Sequence, residues 1–382
     1  MKYSITCLTP TLIGSGEALS PIDYMVWKDQ VNVLDQQRIF KLLARGPRLD
    51  NYLNQIRRAE KLDFNSWGGF AQNFAGRRIA LEHASLTNHW NRMPSDHLFI
   101  PEFASTPGGP YLPASALKGA LRTAVAASRW QAKNIETLAE RSKEGIPRHP
   151  GDTLETHTLG SPSYDLLRGL ALGDSAPVAR DRFRVYLWRT AKIEPRNNKL
   201  SLGWKAVGRG AVEANRPADS AARFAEMAAP GATFEGVWSE PARFAAESTQ
   251  RALRWREAPA FGLFRDAAHA YAELALAAHE KFAQTAGLER LGGEIRRLRT
   301  ALDAAKAKSD RLLLNIGWGG GLYGKTAWPH LDDANYRRVL GQLPYYARAI
   351  SSGLPFPKTR RVVFLEDRPA TLPGWIELRL IP

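Results

Sequence analysis

The chain has one cysteine, Cys7, so it cannot form an internal disulfide, which suits a reducing cytoplasm and excludes a small disulfide-stapled fold. Cys7 sits on the apolar side of a strand-like segment, where a small core residue is expected. No apolar run approaches the roughly 20 residues that cross a bilayer, and no membrane partner is expected. The opening MKYSITCLTPTLIGSG alternates like a strand and lacks the charged-then-apolar pattern of a secretory signal.

Acidic residues are also short. The 38 Asp and Glu stand against 53 Lys and Arg, leaving a net charge of +15. Such an excess disfavours an enzyme of neutral metabolites and favours a polyanionic partner, unless the surface is merely basic and solvated. Eight histidines are scattered; His83, His89 and His97 lie near one another in sequence, as do His149 and His157, but none has the i,i+4 spacing of a helical zinc site. Cysteine pairs, a nucleophile elbow and an acidic calcium loop are missing. A ribonuclease would have to use one of these histidines or a carboxylate with a metal, and Asp152 and Asp174 are the carboxylates to test first.

The densest feature present is RLLLNIGWGGGLYGKT at 311–326. Leu312 to Ile316 reads as a buried strand running into glycines at 317, 319, 320, 321 and 324. Without Cβ atoms, such residues accept positive φ and close backbone approach, so Gly317, Gly319, Gly320 and Gly321 can turn N–H groups toward an anion. Lys325 adds a full charge, and Trp318 and Tyr323 add faces on which bases stack. Gly319, Gly324, Lys325 and Thr326 also fit G-x-x-x-x-G-K-[ST], the phosphate loop of nucleotide-hydrolysing proteins. That loop opens a helix and follows the first strand of a parallel sheet. Here Ala327, Trp328 and Pro329 follow, with too little chain left for such a sheet, so a polynucleotide is the preferred guest and no cofactor is expected.

Tyr3, Ile5 and Cys7 alternate as a first strand, followed by a second glycine loop or ordinary turn at Gly14, Ser15 and Gly16. Residues 22–34 suit a hairpin around Lys28 and Asp29. Helices are expected from Asp35, with Ile39, Leu42 and Leu43 on one face, and through Tyr52, Leu53 and Ile56. Residues 63–108 carry no clear pattern. In YLPASALKGALRTAV at 111–125, Ser115 is the expected helix cap, and Leu117, Leu121, Ala124 and Val125 form the apolar stripe. Lys118 and Arg122 project together near the helix start, where cations oppose the macrodipole; an anion such as RNA backbone would relieve them, although two solvated side chains would also account for the pattern.

Residues 129–163, with Arg141, Lys143, Arg148 and His149, read as an exposed loop. Residues 192–216, with Lys192, Arg196, Lys199, Lys205, Arg209 and Arg216, read as a second, basic loop able to touch phosphates, or as an ordinary solvated excursion. An alanine-rich helix at 260–284 and the Leu288–Leu302 seam predict a helical hairpin over 258–308. Lys358, Arg360 and Arg361 form a basic cluster before a strand from Val362, and Trp375 opens the last strand. Strands and helices mix without βαβ repetition, which predicts α+β: antiparallel sheets flanked by helices, built on the βαββαβ ferredoxin-like unit.

Four pieces, TLIGSGE, YLPASALKGALR, the GDS turn after 170 and IGWGGGLYGKT, together resemble the RAMP superfamily of CRISPR effector proteins, and PGATFEGVW at 230–238 is similar to a further family strand. Within that family, the late glycine loop followed by PKTRRVV at 357–363 is most similar to the subunit that caps the 3′ end of the guide RNA in type III-A (Csm) complexes. Ala114 departs from the family, which often has glycine there. The resemblance implies RRM-like (RAMP) domains, drawn here at 1–165 with a helical insertion and 166–382 with the hairpin 258–308 and glycine-rich loop 317–326. It implies a structural, non-catalytic role in a cytoplasmic ribonucleoprotein with crRNA, target RNA and other Csm subunits. It further implies that Gly14 to Gly16, Ser115, Lys118, Arg122 and the loop from Gly317 to Thr326 face RNA. A RAMP endoribonuclease remains the enzymatic alternative.

Overall fold

In a computed structural model of the chain, the expected first strand is Lys2–Cys7, and its alternate residues Tyr3, Ile5 and Cys7 are buried. The structure describes all residues except 45, 47, 59–60, 62–72, 144–149, 198, 209–213, 328–329, 332 and 382. The first strand pairs antiparallel with Thr233–Ser239 and with Trp375–Ile381, and Ala171–Leu172 and Arg311–Asn315 close the two edges. Setting aside the added edge strand Arg311–Asn315, the order across this sheet is fourth, first, third, second along the chain. The helix Ala114–Ser128 lies between the first and second strands in sequence, and Phe261–Thr285 between the third and fourth. That is the ferredoxin-like arrangement. Gly236 is required beneath Tyr3: a Cβ there would lie 2.3 Å from the Tyr3 hydroxyl, which donates to the Gly173 carbonyl.

The second sheet is organised on the long strand Phe183–Arg196. Its first half is flanked by Arg223–Ala228 and, in parallel, by Ala75–Leu81; its second half by Lys199–Trp204 and Thr359–Leu365. Ala75–Leu81 continues into the hairpin Tyr24–Trp27 and Gln30–Leu34, whose turn residues Lys28 and Asp29 have φ of 48° and 58°, the left-handed pair that a tight two-residue hairpin needs.

One helix serves both sheets. Phe261–Thr285 has 25 residues and is therefore about 38 Å long. Phe264 and Ala268 on its first half join the core under the first sheet, and Leu276 and Phe282 on its second half join the core under the second. Its buried alanines let Ala114–Ser128 and Glu289–Lys306 pack closely against it.

Several expectations change. Residues 129–163 are not a loop: Ala132–Lys143 and Pro150–Leu159 are helices, held by buried Ile135, Leu138 and Leu159. Arg148 and His149 lie outside the described residues. The supposed loop from 192 is mostly a hairpin turning at Asn197, because Ile193, Gly203 and Trp204 are buried in the sheet; Arg209 lies outside the described residues. The division at 165/166 does not separate two sheets, since strands from both sides of it pair in each one.

Candidate nucleic-acid interface

Along Phe183–Arg196, the period of two puts Trp188, Thr190 and Lys192 on one face, opposite Val363, Arg361 and Thr359 of the neighbouring strand. The glycine-rich turn after Arg311–Asn315 lies beside this face. The Trp318 ring meets the Trp188 ring edge-on at 4.7 Å between centroids, and the Arg361 guanidinium sits 4.6 Å from the Trp318 ring centre. A cation over an indole face and a half-exposed aromatic pair form a surface on which a nucleobase can stack.

Contacts within the chain fix the turn. Gly317 has φ of 71° and lies so near Leu12 that a Cβ would fall 2.3 Å from its carbonyl oxygen, and the Trp318 N–H donates to that oxygen at 2.8 Å. A Cβ on Gly319 would strike the Pro373 ring at 2.2 Å, and one on Gly320 would strike Asn315 Oδ1 at 2.1 Å. The Tyr271 hydroxyl lies 2.6 Å from the carbonyls of both Tyr323 and Thr326. Three of the glycines are thus explained by close approach of the chain to itself, and Gly321, with φ of 63° and open space around it, remains exposed.

Between this turn and the sheet face lies a cleft of about 470 Å³, lined by Gly319 to Tyr323, Thr190, Lys205, Thr359, Arg360 and Arg361 over a floor that includes His279 and Trp375. The structure therefore brings Gly319, Gly320, Gly321, Arg360 and Arg361 together, with Trp318 alongside. Arg360 lies in the wall of the cleft and not on the open surface. It is 8% exposed, its Nε donates to His279 Nδ1 at 2.9 Å, and its Nη1 donates to the carbonyls of Pro357 and Thr359. Burial and then the Arg360 charge hold His279 neutral, well below the usual imidazole range. With Nδ1 accepting from Arg360, its proton sits on Nε2, which leaves it without the free basic nitrogen a ribonuclease would use.

The other predicted residues fall elsewhere. Lys325 is exposed but does not line the cleft, and Lys358 is half-buried with its carbonyl accepting from Ile193. Thr326 is 6% exposed, with its hydroxyl 3.2 Å from that of Tyr336. The triphosphate-loop reading fails on this geometry. Arg311–Asn315 is an antiparallel edge strand, and among the described residues the next helix begins at Ala334, so Lys325 and Thr326 open no described helix. Gly14, Ser15 and Gly16 are not a loop but the exposed start of the strand Gly14–Leu19, bulged against Ile100–Phe103. They adjoin the glycine turn through Leu12 and Ile13.

Ser115 does not cap its helix. Asp174 does, accepting from the Ala114 N–H at 2.7 Å, while Ser175 accepts from Leu112, so the GDS turn clamps the YLPAS segment. The external anion expected for Lys118 and Arg122 is replaced from within. Lys118 donates to the Leu170 carbonyl, and Arg122 is bridged to Glu155 and Asp165 in a separate cleft. Glu155 and Asp165 reach Arg122 once the chain from 150 to 165 folds back over it.

His83 contacts Ser85, His89 bridges Asp367 and Arg189, and His97 is buried, so these three do not converge. Among the described residues, no group of three or more His, Cys, Asp or Glu could hold a metal, and no helix is long and apolar enough to cross a membrane. Sequence reading missed Trp188. Its position two residues before Thr190 and four before Lys192 on an alternating strand was the available signal.

Residues 4–323 match the model of the RAMP superfamily. The chain belongs to the RAMP superfamily. Among RAMP relatives it is 21% identical to the CRISPR system Cms protein Csm5 of Methanocaldococcus jannaschii, over 100% of this chain and 89% of that protein. It superposes with a TM-score of 0.70 and 19% identity on a chain of the type III-A Csm–crRNA–target RNA ternary complex solved by cryo-electron microscopy, covering 99% of this chain and 100% of that one. The crystal structure of T. onnurineus Csm5 gives a TM-score of 0.59 at 16% identity, covering 98% and 99%. The α+β architecture with antiparallel sheets is thus a RAMP fold along essentially the whole chain.

Proposed function

We propose that this RAMP protein is a non-catalytic, RNA-binding structural subunit of a type III-A (Csm) CRISPR complex, holding the 3′ part of the crRNA in a cytoplasmic ribonucleoprotein. Its partners are crRNA, target RNA and the other Csm subunits. The likeness to Csm5 and to a chain of a crRNA-bound complex supports this reading. The observation that carries it is the surface joining the Trp188–Trp318–Arg361 stack to a cleft lined by Lys205, Arg360 and Arg361 with no carboxylate among its described lining residues. Such a surface grips phosphate and stacks bases with little regard to sequence.

Titrating a labelled crRNA against the full chain at increasing salt tests the proposal. The logarithm of affinity should fall linearly with the logarithm of salt, and an Arg361→Gln change should reduce the slope by about 0.7, as for one lost single-strand phosphate contact. Salt-insensitive binding, or cleavage of the RNA in EDTA that tracks the wild-type chain, counts against it.

A further inference from the structure

We infer that the cleft beneath the glycine turn takes a terminal phosphate, the monoester at the end of an RNA strand, and not an internal diester. The inference rests on the RNA-binding reading and names the group that this part of the surface holds.

Charge is the first reason. Three cations, Lys205, Arg360 and Arg361, line the cleft, and its described lining residues include no Asp or Glu. A diester brings one negative charge, whereas a monoester brings about 1.5 to 2 at pH 7 together with three strong acceptor oxygens. A terminal phosphate therefore offsets more of the positive charge at the cleft than a passing backbone phosphate does.

Arg360 is the second reason. Its acceptors are all neutral, an imidazole nitrogen and two carbonyls, and its guanidinium lies 4.7 Å from the Phe282 ring centre and 5.0 Å from that of Tyr323. Among the described residues, no carboxylate lies within ion-pair distance of it. Buried charges are normally paired, because an unpaired one loses its hydration without compensation. Burial accordingly lowers the pKa of Arg360 to about 10. An anion seated in the cleft supplies the missing counter-charge.

Unused donors are the third. The N–H groups of Gly320 and Gly321, two residues that line the cleft, meet no acceptor among the described residues. A cleft with donors on its wall, cations at its side and a closed aromatic floor suits a group that ends there.

Three RNAs of one sequence test the inference: one with hydroxyls at both ends, one with a 5′-phosphate and one with a 3′-phosphate. Each is titrated by fluorescence anisotropy against the full chain and against Lys205→Gln, with Arg361→Gln as a second variant and thermal unfolding as the folding control. One phosphorylated RNA should bind about tenfold or more tightly than the hydroxyl-ended one, the worth of a charge-assisted hydrogen bond. The end that gains identifies the source of the phosphate. The gain should vanish in Lys205→Gln and shrink below about pH 6, where the monoester takes up its second proton.

Equal affinity for the three RNAs overturns the inference while leaving the RNA-binding reading standing. A gain that survives both substitutions also overturns it, because the phosphate then sits elsewhere. No measurable binding of any of the three removes both readings.

Discussion

Replacing Arg122 by alanine is expected to lower stability while leaving RNA affinity unchanged. Arg122 is 31% exposed and bridges Asp165, 14% exposed, and Glu155, 51% exposed. The pair with Glu155 is a surface pair worth about 0.2–1 kcal/mol. Asp165 is more enclosed, and stripping the partner from a fully buried charge costs about 3–5 kcal/mol. Asp165 keeps a second contact, however, because it accepts from the Leu167 N–H, which moves the loss toward the low end. A total of about 1–2 kcal/mol follows from these bounds.

Unfolding entropy of about 2.1 cal/mol/K per residue, taken over the whole chain, amounts to roughly 0.8 kcal/mol/K. The midpoint should therefore fall by about 2 °C. The same variant is then titrated with crRNA at several salt concentrations. If Arg122 touched a phosphate, its loss would reduce the salt slope by about 0.7. An unchanged melting midpoint with a reduced slope would refute the internal brace and restore Arg122 to the RNA surface.

Trp318→Ala should cost about 1–3 kcal/mol of RNA affinity with the circular dichroism spectrum unchanged, and unaltered binding would remove the stacking surface from the interface. Gly317→Ala should destabilise by about 2 kcal/mol or more, since its Cβ would meet the Leu12 carbonyl at 2.3 Å, whereas Gly16→Ala, with nothing within 4 Å, should cost only the roughly 1 kcal/mol of its positive φ; the reverse order of melting midpoints would contradict the packing described. His269 and His279 are buried and neutral, burial being the first cause in each case, with neighbouring cations adding to it, and His269 is pulled down to about 4. Their unfolded counterparts protonate near pH 6.5, so this part of the stability is complete above that pH and is lost as pH falls toward 4. His269→Gln should show a shallower decline of melting midpoint from pH 7 to 5 than the parent chain, and an identical decline would exclude the effect. Cys7, whose thiol burial pushes up to about 12, should resist a disulfide reagent until the chain is unfolded.

Local pattern was legible wherever neighbours in sequence decide the outcome. The alternation of Lys2–Cys7, the Lys28–Asp29 turn, the long alanine-rich helix and the apolar strand leading into the glycines are all consequences of periodicity and backbone freedom. The charge excess and the RAMP motifs were equally local signals. The helices at 132–143 and 150–159 were missed because their polar faces dominate the composition, and the few apolar residues that bury them are sparse.

The amino-acid sequence by itself determined the α+β class, the family and the chemical character of the surface, because these depend on residue type and short spacing. Only the tertiary structure decided which charges remain available. Arg122 and Arg360 read in sequence as equivalent cations beside a motif, yet one is tied to Glu155 on the helix Pro150–Leu159 and to Asp165 beyond it, and the other lies under aromatic rings. Electrostatic partnership depends on distance through space and on exclusion of water, and both are fixed only when segments remote in the chain pack together.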